Sequence, residues 1–207
     1  MKELNSIQAF MSVVVALKAT PRTGWNDMDR RVSIPECVGA HSYGLAMLAF
    51  AFYHMFPELK LNLERLLVIC LVHDLVEAKT GDLNTYAIQD PVKREEFKRH
   101  KKKQERKAIS SIRAEVGGSF GDLIFERWED YEFDRNAEAR IAHDLDKLEV
   151  GIQANAYYWA GNQVNPWEFY ESSRAAIKTP EVRQYLEQVL APSLPTREEV
   201  RQRMTGE

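Results

Sequence analysis

His73 and Asp74 stand side by side inside Leu71-Val72-His73-Asp74-Leu75-Val76, near the C-terminal end of an apolar helical stretch that runs from Leu66 to Val76. An ionised carboxylate buried there without a partner would cost several kcal/mol. No Lys or Arg lies within about one helical turn except Lys79, near the helix end. A divalent cation is the economical partner, because imidazole and carboxylate together suit Mn²⁺, Fe²⁺, Co²⁺, Zn²⁺ or Mg²⁺. More donors of the same kind occur on two other apolar helical stretches. These are His41 in Val38-Gly39-Ala40-His41-Ser42-Tyr43, and Asp146 in Ala142-His143-Asp144-Leu145-Asp146-Lys147. Three helices that each lend a ligand to one site in a bundle core form a usual arrangement.

The wider motifs carry a resemblance. The order His, His-Asp, Asp is similar to that of the HD-domain superfamily of metal-dependent phosphohydrolases. Arg22-Thr23-Gly24-Trp25 followed by Pro35-Glu36-Cys37-Val38-Gly39-Ala40-His41-Ser42 resembles the signatures of its 5′-deoxynucleotidase branch. So do Leu71–Asp82, Trp128-Glu129-Asp130-Tyr131-Glu132, Glu138-Ala139 and Asp144–Glu149, so the likeness covers roughly residues 5–160. Ala40 departs from it, since many relatives carry an acid before the histidine. The resemblance implies one divalent ion on His41, His73, Asp74 and Asp146. It implies hydrolysis of (deoxy)nucleoside 5′-monophosphates to nucleoside and phosphate by a metal-bound water. Another HD-type phosphohydrolase, acting on a diester or a di- or triphosphate, and a non-catalytic nucleotide-sensing module are the alternatives. A homodimer is also implied.

Two imidazoles and two carboxylates total −2, which a divalent ion cancels, and a roughly neutral site tolerates a phosphate dianion. Glu77 lies four residues after His73, on the same helical face, and resembles the family's catalytic acid, which positions the attacking water or moves its proton. Asp82 follows Gly81 in a loop and is expected to assist catalysis or contact the sugar. Arg22 is the expected phosphate clamp, since a guanidinium offers two parallel donors. Trp25, on the same loop, is expected to wall off the phosphate or pack on the nucleoside. Lys147 could meet phosphate or salt-bridge a neighbouring acid.

Helical periodicity positions these residues. Ile7, Phe10, Val14 and Leu17 mark a helix over about 4–18, and further helices are predicted over 37–56, from Asn62 to Val76, and over 91–115, 119–131, 135–160, 167–178 and 180–191. Loops are predicted over 19–35 and after Gly81, and a short tail after Pro192 and Pro195. No alternating strand is evident. The expectation is an all-α bundle, one domain over 1–207, with a core over about 5–160 and C-terminal helices over about 166–204.

Composition excludes other classes. With 207 residues, 44% hydrophobic and 29% charged, the chain can bury a core and is not disordered. Its longest apolar runs, Leu45–Tyr53 and Leu66–Val72, are far short of the roughly 20 residues a bilayer requires. Two cysteines, Cys37 and Cys70, argue against a thiolate metal site or a disulfide scaffold and fit a reducing cytoplasm. Residues 93–107 hold nine Lys/Arg against Glu95, Glu96 and Glu105, but Phe97 is the only aromatic among them. A solvated helix face, or a basic rim that attracts nucleotides, is expected there rather than a nucleic-acid site. His54 and His100 read as surface or packing residues, and His143 at most supports a ligand. The aromatic group Tyr157, Tyr158, Trp159, Trp167, Phe169 and Tyr170 reads as core or dimer packing.

Overall fold

The computed structural model describes residues 1–25, 31–84 and 88–206, and within them the chain is helical with no strand. Residues 26–30 and 85–87 of the two predicted loops lie outside the described residues. Helix α1 (Lys2–Ala19) leads through a turn at Thr23–Trp25 to α2 (Val38–Met55), which stops two residues before Pro57. Asn62 caps α3 (Leu63–Val72), its side chain accepting from the Arg65 amide at 2.9 Å. Helix α4 is a single turn, Glu77–Thr80, closed by Gly81 at φ +72°, a conformation that favours glycine. Helix α5 (Pro91–Val116) starts on an Asp90 cap with proline in its first turn, and α6 (Gly118–Glu132) follows directly. Helix α7 (Ala137–Trp159) is capped by Asn136. Helices α8 (Pro166–Ala176) and α9 (Pro180–Tyr185), a π-helical turn (Leu186–Leu190), α10 (Ala191–Ser193) and α11 (Arg197–Thr205) complete the chain.

One expectation changes. The helix from Asn62 does not run to Val76: it ends at Val72, and residues 73–76 form turns before α4. The apolar pattern continues because these turns stay buried, with Leu75 and Val76 in the core. The short tail is helical, in line with C-terminal helices over about 166–204. Thr196 and Glu199 form a reciprocal capping box, and Pro195 precedes the cap, so α11 makes up that tail.

The core explains where a site can form. One cluster joins α2, α3 and α7 with Ile177, Val182, Leu186 and Leu190 of the C-terminal segment. A second joins α1, α5 and α6 with Val72, Leu75 and Val76. Residues 66–76 feed both clusters, so the His73 turn is gripped from two sides. A third, smaller cluster packs Trp25 and Val32 against Ala154, Tyr157 and Val164. Among the described residues, no helix is long and apolar enough to cross a membrane.

Candidate metal centre

His41 lies in the first turn of α2 and is fully buried, because α7 covers that face with Asp146 and Glu149. Its Nδ1 donates to Glu149 Oε2 at 2.6 Å, since a carboxylate can only accept. His73 caps α3, and its Nδ1 donates to the Cys70 carbonyl at 2.9 Å. Both rings are thereby oriented with Nδ1 donating, which leaves Nε2 as the atom that could bind a metal once deprotonated. Both Nε2 atoms are buried and without a hydrogen bond. His41 Nε2 is 3.1 Å from Asp146 Oδ1, and His73 Nε2 is 3.0 Å from Asp74 Oδ2, yet neither approach is aligned as a hydrogen bond. Ligand atoms of His41, His73 and Asp146 all lie within 4.8 Å of one another. Asp74 Oδ2 stands beside that group, 3.9 Å from His41 Nε2.

Two buried, unsatisfied imidazole nitrogens that face two carboxylates are what a divalent cation would repair. The other oxygen of Asp146 is occupied: Lys147 donates to Oδ2 at 2.8 Å and the Tyr131 hydroxyl approaches it at 3.4 Å. Oδ1 is the oxygen that faces His41. Tyr131 is itself stacked on His143 at 3.8 Å, so His143 supports the group from outside.

Electrostatics follow from this packing. Burial and the Arg22 charge press the His41 imidazole down, but Asp146 and Glu149 outweigh them and raise it to about 9. Burial disfavours the charged form of Asp146, yet Lys147 and His41 hold its carboxyl well below the usual carboxylate range. Asp74 is similarly held low by His73, His41 and Arg22, against its burial. Glu77 moves the other way. Burial, then the Asp74 and Asp82 charges, raise its carboxyl to about 9 despite Lys101 and Arg22, and its Oε2 has no partner.

A cavity of about 490 Å³ opens on this group, a size typical of small-molecule sites. Arg22, Trp25, Asp74, Glu77, Asp82 and Asp146 all line it, whereas Ala40 is exposed and does not. Arg22 reaches Asp74 Oδ2 at 3.7 Å and Glu36 Oε1 at 3.6 Å. Asp82 Oδ2 accepts from the Thr23 amide at 2.7 Å and its hydroxyl at 3.1 Å, which ties the loop after α4 to the Arg22 turn. Trp25 is 1% exposed, and its indole donates to Glu36 Oε1 at 3.0 Å. Tyr157 and Phe169 flank it, so it forms wall rather than a free stacking surface.

Residues 14–189 match the HD domain family. The chain belongs to the HD-domain family. It is 33% identical over 180 residues to the 5′-deoxynucleotidase HDDC2 of Danio rerio, covering 86% of this chain and 84% of the relative. The Homo sapiens 5′-deoxynucleotidase HDDC2 is 31% identical over 188 residues, with 90% and 86% covered. A crystal structure of a Pyrococcus horikoshii protein superposes with a TM-score of 0.68 at 28% identity, covering 90% of this chain and 97% of that one.

Within this HD-domain chain, several residues of the site were not assigned from sequence. Glu149 and Tyr131 reach His41 and Asp146 only through tertiary packing, though both lie in quoted motifs. Glu36 joins the Arg22 and Trp25 side chains, and its own amide donates to the Tyr157 hydroxyl at 2.7 Å. Lys101 comes from the basic run, which reads as surface. Lys147 takes the salt-bridging one of its two readings, on Asp146. His54 and His100 are exposed and do not line the cavity.

Proposed function

We propose that the protein is a divalent-metal-dependent phosphomonoesterase that releases phosphate from nucleoside 5′-monophosphates, deoxyribonucleotides among them. The observation that carries this reading is the pair of buried Nε2 atoms on His41 and His73 without a hydrogen bond, each ring oriented by a hydrogen-bonded Nδ1 and facing Asp74 and Asp146. Curated relatives across vertebrates are named 5′-deoxynucleotidases. These four side chains would hold the ion, which when bound supplies Lewis acidity towards phosphoryl oxygens and a water of lowered pKa. Nitrogen and oxygen donors suit Mn²⁺, Co²⁺, Fe²⁺ or Zn²⁺ better than Mg²⁺.

The chain's own residues divide the remaining work. Arg22 presents its guanidinium to the phosphate from the edge of the cavity. Glu77, with one carboxyl oxygen unpartnered, positions the attacking water or moves its proton. Asp82 holds the Arg22 turn at Thr23 and borders the sugar. Trp25, fixed by Glu36, walls the cavity on the nucleoside side. Of the serines lining the cavity, Ser173 already donates to the Lys147 carbonyl at 2.7 Å, and direct displacement by water is the natural course.

Several wider proposals accompany it. Leu4, Ile7, Met11 and Val15 on α1, with Tyr43, Met47 and Phe50 on α2, are exposed apolar residues at helical spacing, which supports a homodimer. Free thiols at Cys37 and Cys70 suit a reducing cytoplasm. The C-terminal segment shares a core with α2, α3 and α7, which favours one domain.

The test is phosphate release from a panel of ribo- and deoxynucleoside mono-, di- and triphosphates and a phosphodiester. Turnover confined to 5′-monophosphates is expected. Preferred cleavage of di- or triphosphates, or of the diester, would replace the reading with a different HD-type hydrolase.

A further inference from the structure

Most of the basic run on α5 is solvated: Lys98, Arg99, His100, Lys102 and Lys103 are exposed. Lys101 is not. Arg94, Phe97, Lys101, Glu105, Ala108 and Ile112 recur at three- and four-residue steps and are among the half-buried and buried positions of α5. Lys101 therefore lies on the stripe that faces the protein, and its side chain is 23% exposed. It lines the same cavity as Arg22 and Glu77.

Its ammonium is held loosely there. Nζ is 3.7 Å from Glu77 Oε1, 3.6 Å from Glu105 Oε1 and 3.3 Å from the Leu83 carbonyl. Charge-assisted N–H···O bonds are normally about 2.7–2.9 Å. Other lysines of this chain reach that range: Lys79 to Glu115 at 2.7 Å, Lys98 to Glu95 at 2.8 Å and Lys147 to Asp146 at 2.8 Å. Among the described residues, Lys101 is thus drawn out of water into a cavity without gaining a short bond. Lys147, the other lysine lining the cavity, is already committed to Asp146.

We propose that Lys101 is a substrate-binding residue: a second cation beside Arg22 that takes a phosphate oxygen as its missing short partner. This rests on the nucleotidase reading and assigns one more contact of the same site. It also explains why one lysine of the run is turned inward. The ligand chemistry is a phosphate dianion. Arg22 approaches it from the side of Asp74, and Lys101 from the side of Glu77.

The experiment compares wild type, Lys101→Met and Lys101→Arg as metal-loaded proteins. Two quantities are measured: KM and kcat on a deoxynucleoside 5′-monophosphate, and calorimetric Kd for inorganic phosphate. Methionine keeps the apolar stem while removing the charge. Loss of a hydrogen bond between charged groups should raise both KM and the phosphate Kd roughly 10- to 100-fold. kcat should change by less than a few-fold, as expected for contacts made equally in ground and transition states. Arginine should recover most of the loss, and metal content should match wild type. Unchanged KM and phosphate Kd in the methionine variant, or a fall in kcat alone, would overturn the assignment. If wild type turned over no phosphate ester, the nucleotidase reading would fail, while the phosphate Kd would still decide the role of Lys101.

Discussion

Gly44→Ala separates the chemistry of the site from simple helix stability, because the two make opposite forecasts. Gly44 lies inside α2, where glycine is worse than alanine by roughly 0.5–1 kcal/mol, so propensity alone predicts a more stable protein. A Cβ there would stand 2.6 Å from Glu149 Oε1 and 3.4 Å from its Cδ. The carboxylate is the far end of a flexible side chain and can swing away at little steric cost. In swinging, it gives up the 2.6 Å bond from His41 Nδ1. Loss of such an outer partner typically weakens metal binding by about 10- to 100-fold, or about 1.4–2.8 kcal/mol. In the metal-free protein, the propensity gain offsets about a third of the net value of the lost hydrogen bond, about 1.5–3 kcal/mol for a charged group. Thermal unfolding of the metal-free variant should therefore stay within several degrees of wild type, with metal affinity clearly reduced in a chelator-competition titration. A folded variant of unchanged metal affinity, with the stability gain that helix propensity forecasts, would refute the idea that Glu149 governs His41.

Other outcomes follow from the same geometry. Glu77→Gln should keep its metal and lose roughly 10²- to 10⁴-fold in turnover, the usual worth of a positioned acid or base; near-normal turnover removes Glu77 from that role. Metal-free stability should decline as pH rises. The His41 and Glu77 values, both raised to about 9, lie above their ordinary 6.5 and 4.5, so the folded state holds these protons more tightly. That contribution is complete below the ordinary values and lost as pH passes the raised ones. Asp74 and Asp146, held low, act in the opposite sense, and their contribution is lost on acidification below the ordinary 3.8. Metal affinity should climb over the alkaline window, since His41 must shed a proton to bind; denaturant melts and metal titrations at pH 6.5 and 9 check both, and a flat response contradicts them.

Much of this was legible in the chain. Acids and imidazoles set in otherwise apolar helical stretches advertise a cost that only a partner can remove, and the helical period gave the all-α class. What stayed hidden was long-range. Glu149 meets His41 across 108 positions, and the approach of Glu36 to both Arg22 and Trp25 depends on how one turn folds on another. The end of α3 at Val72 was masked because the turns after it are as buried as the helix. Lys101 looked like its neighbours in composition, although its place on the α5 stripe was readable from spacing to Ala108 and Ile112. The capping box of α11 was also present in the residue order, just after the prolines that mark the tail.

The central claim is that His41, His73, Asp74 and Asp146 hold a divalent ion without which no phosphate is released. Its most direct test is a single titration: strip the protein with a chelator, add back Mn²⁺ or Co²⁺, and follow bound metal and phosphate release from a deoxynucleoside 5′-monophosphate together. The structure predicts no release from the stripped protein and recovery in step with about one ion per chain. Equal release from the stripped and reloaded protein would contradict the account.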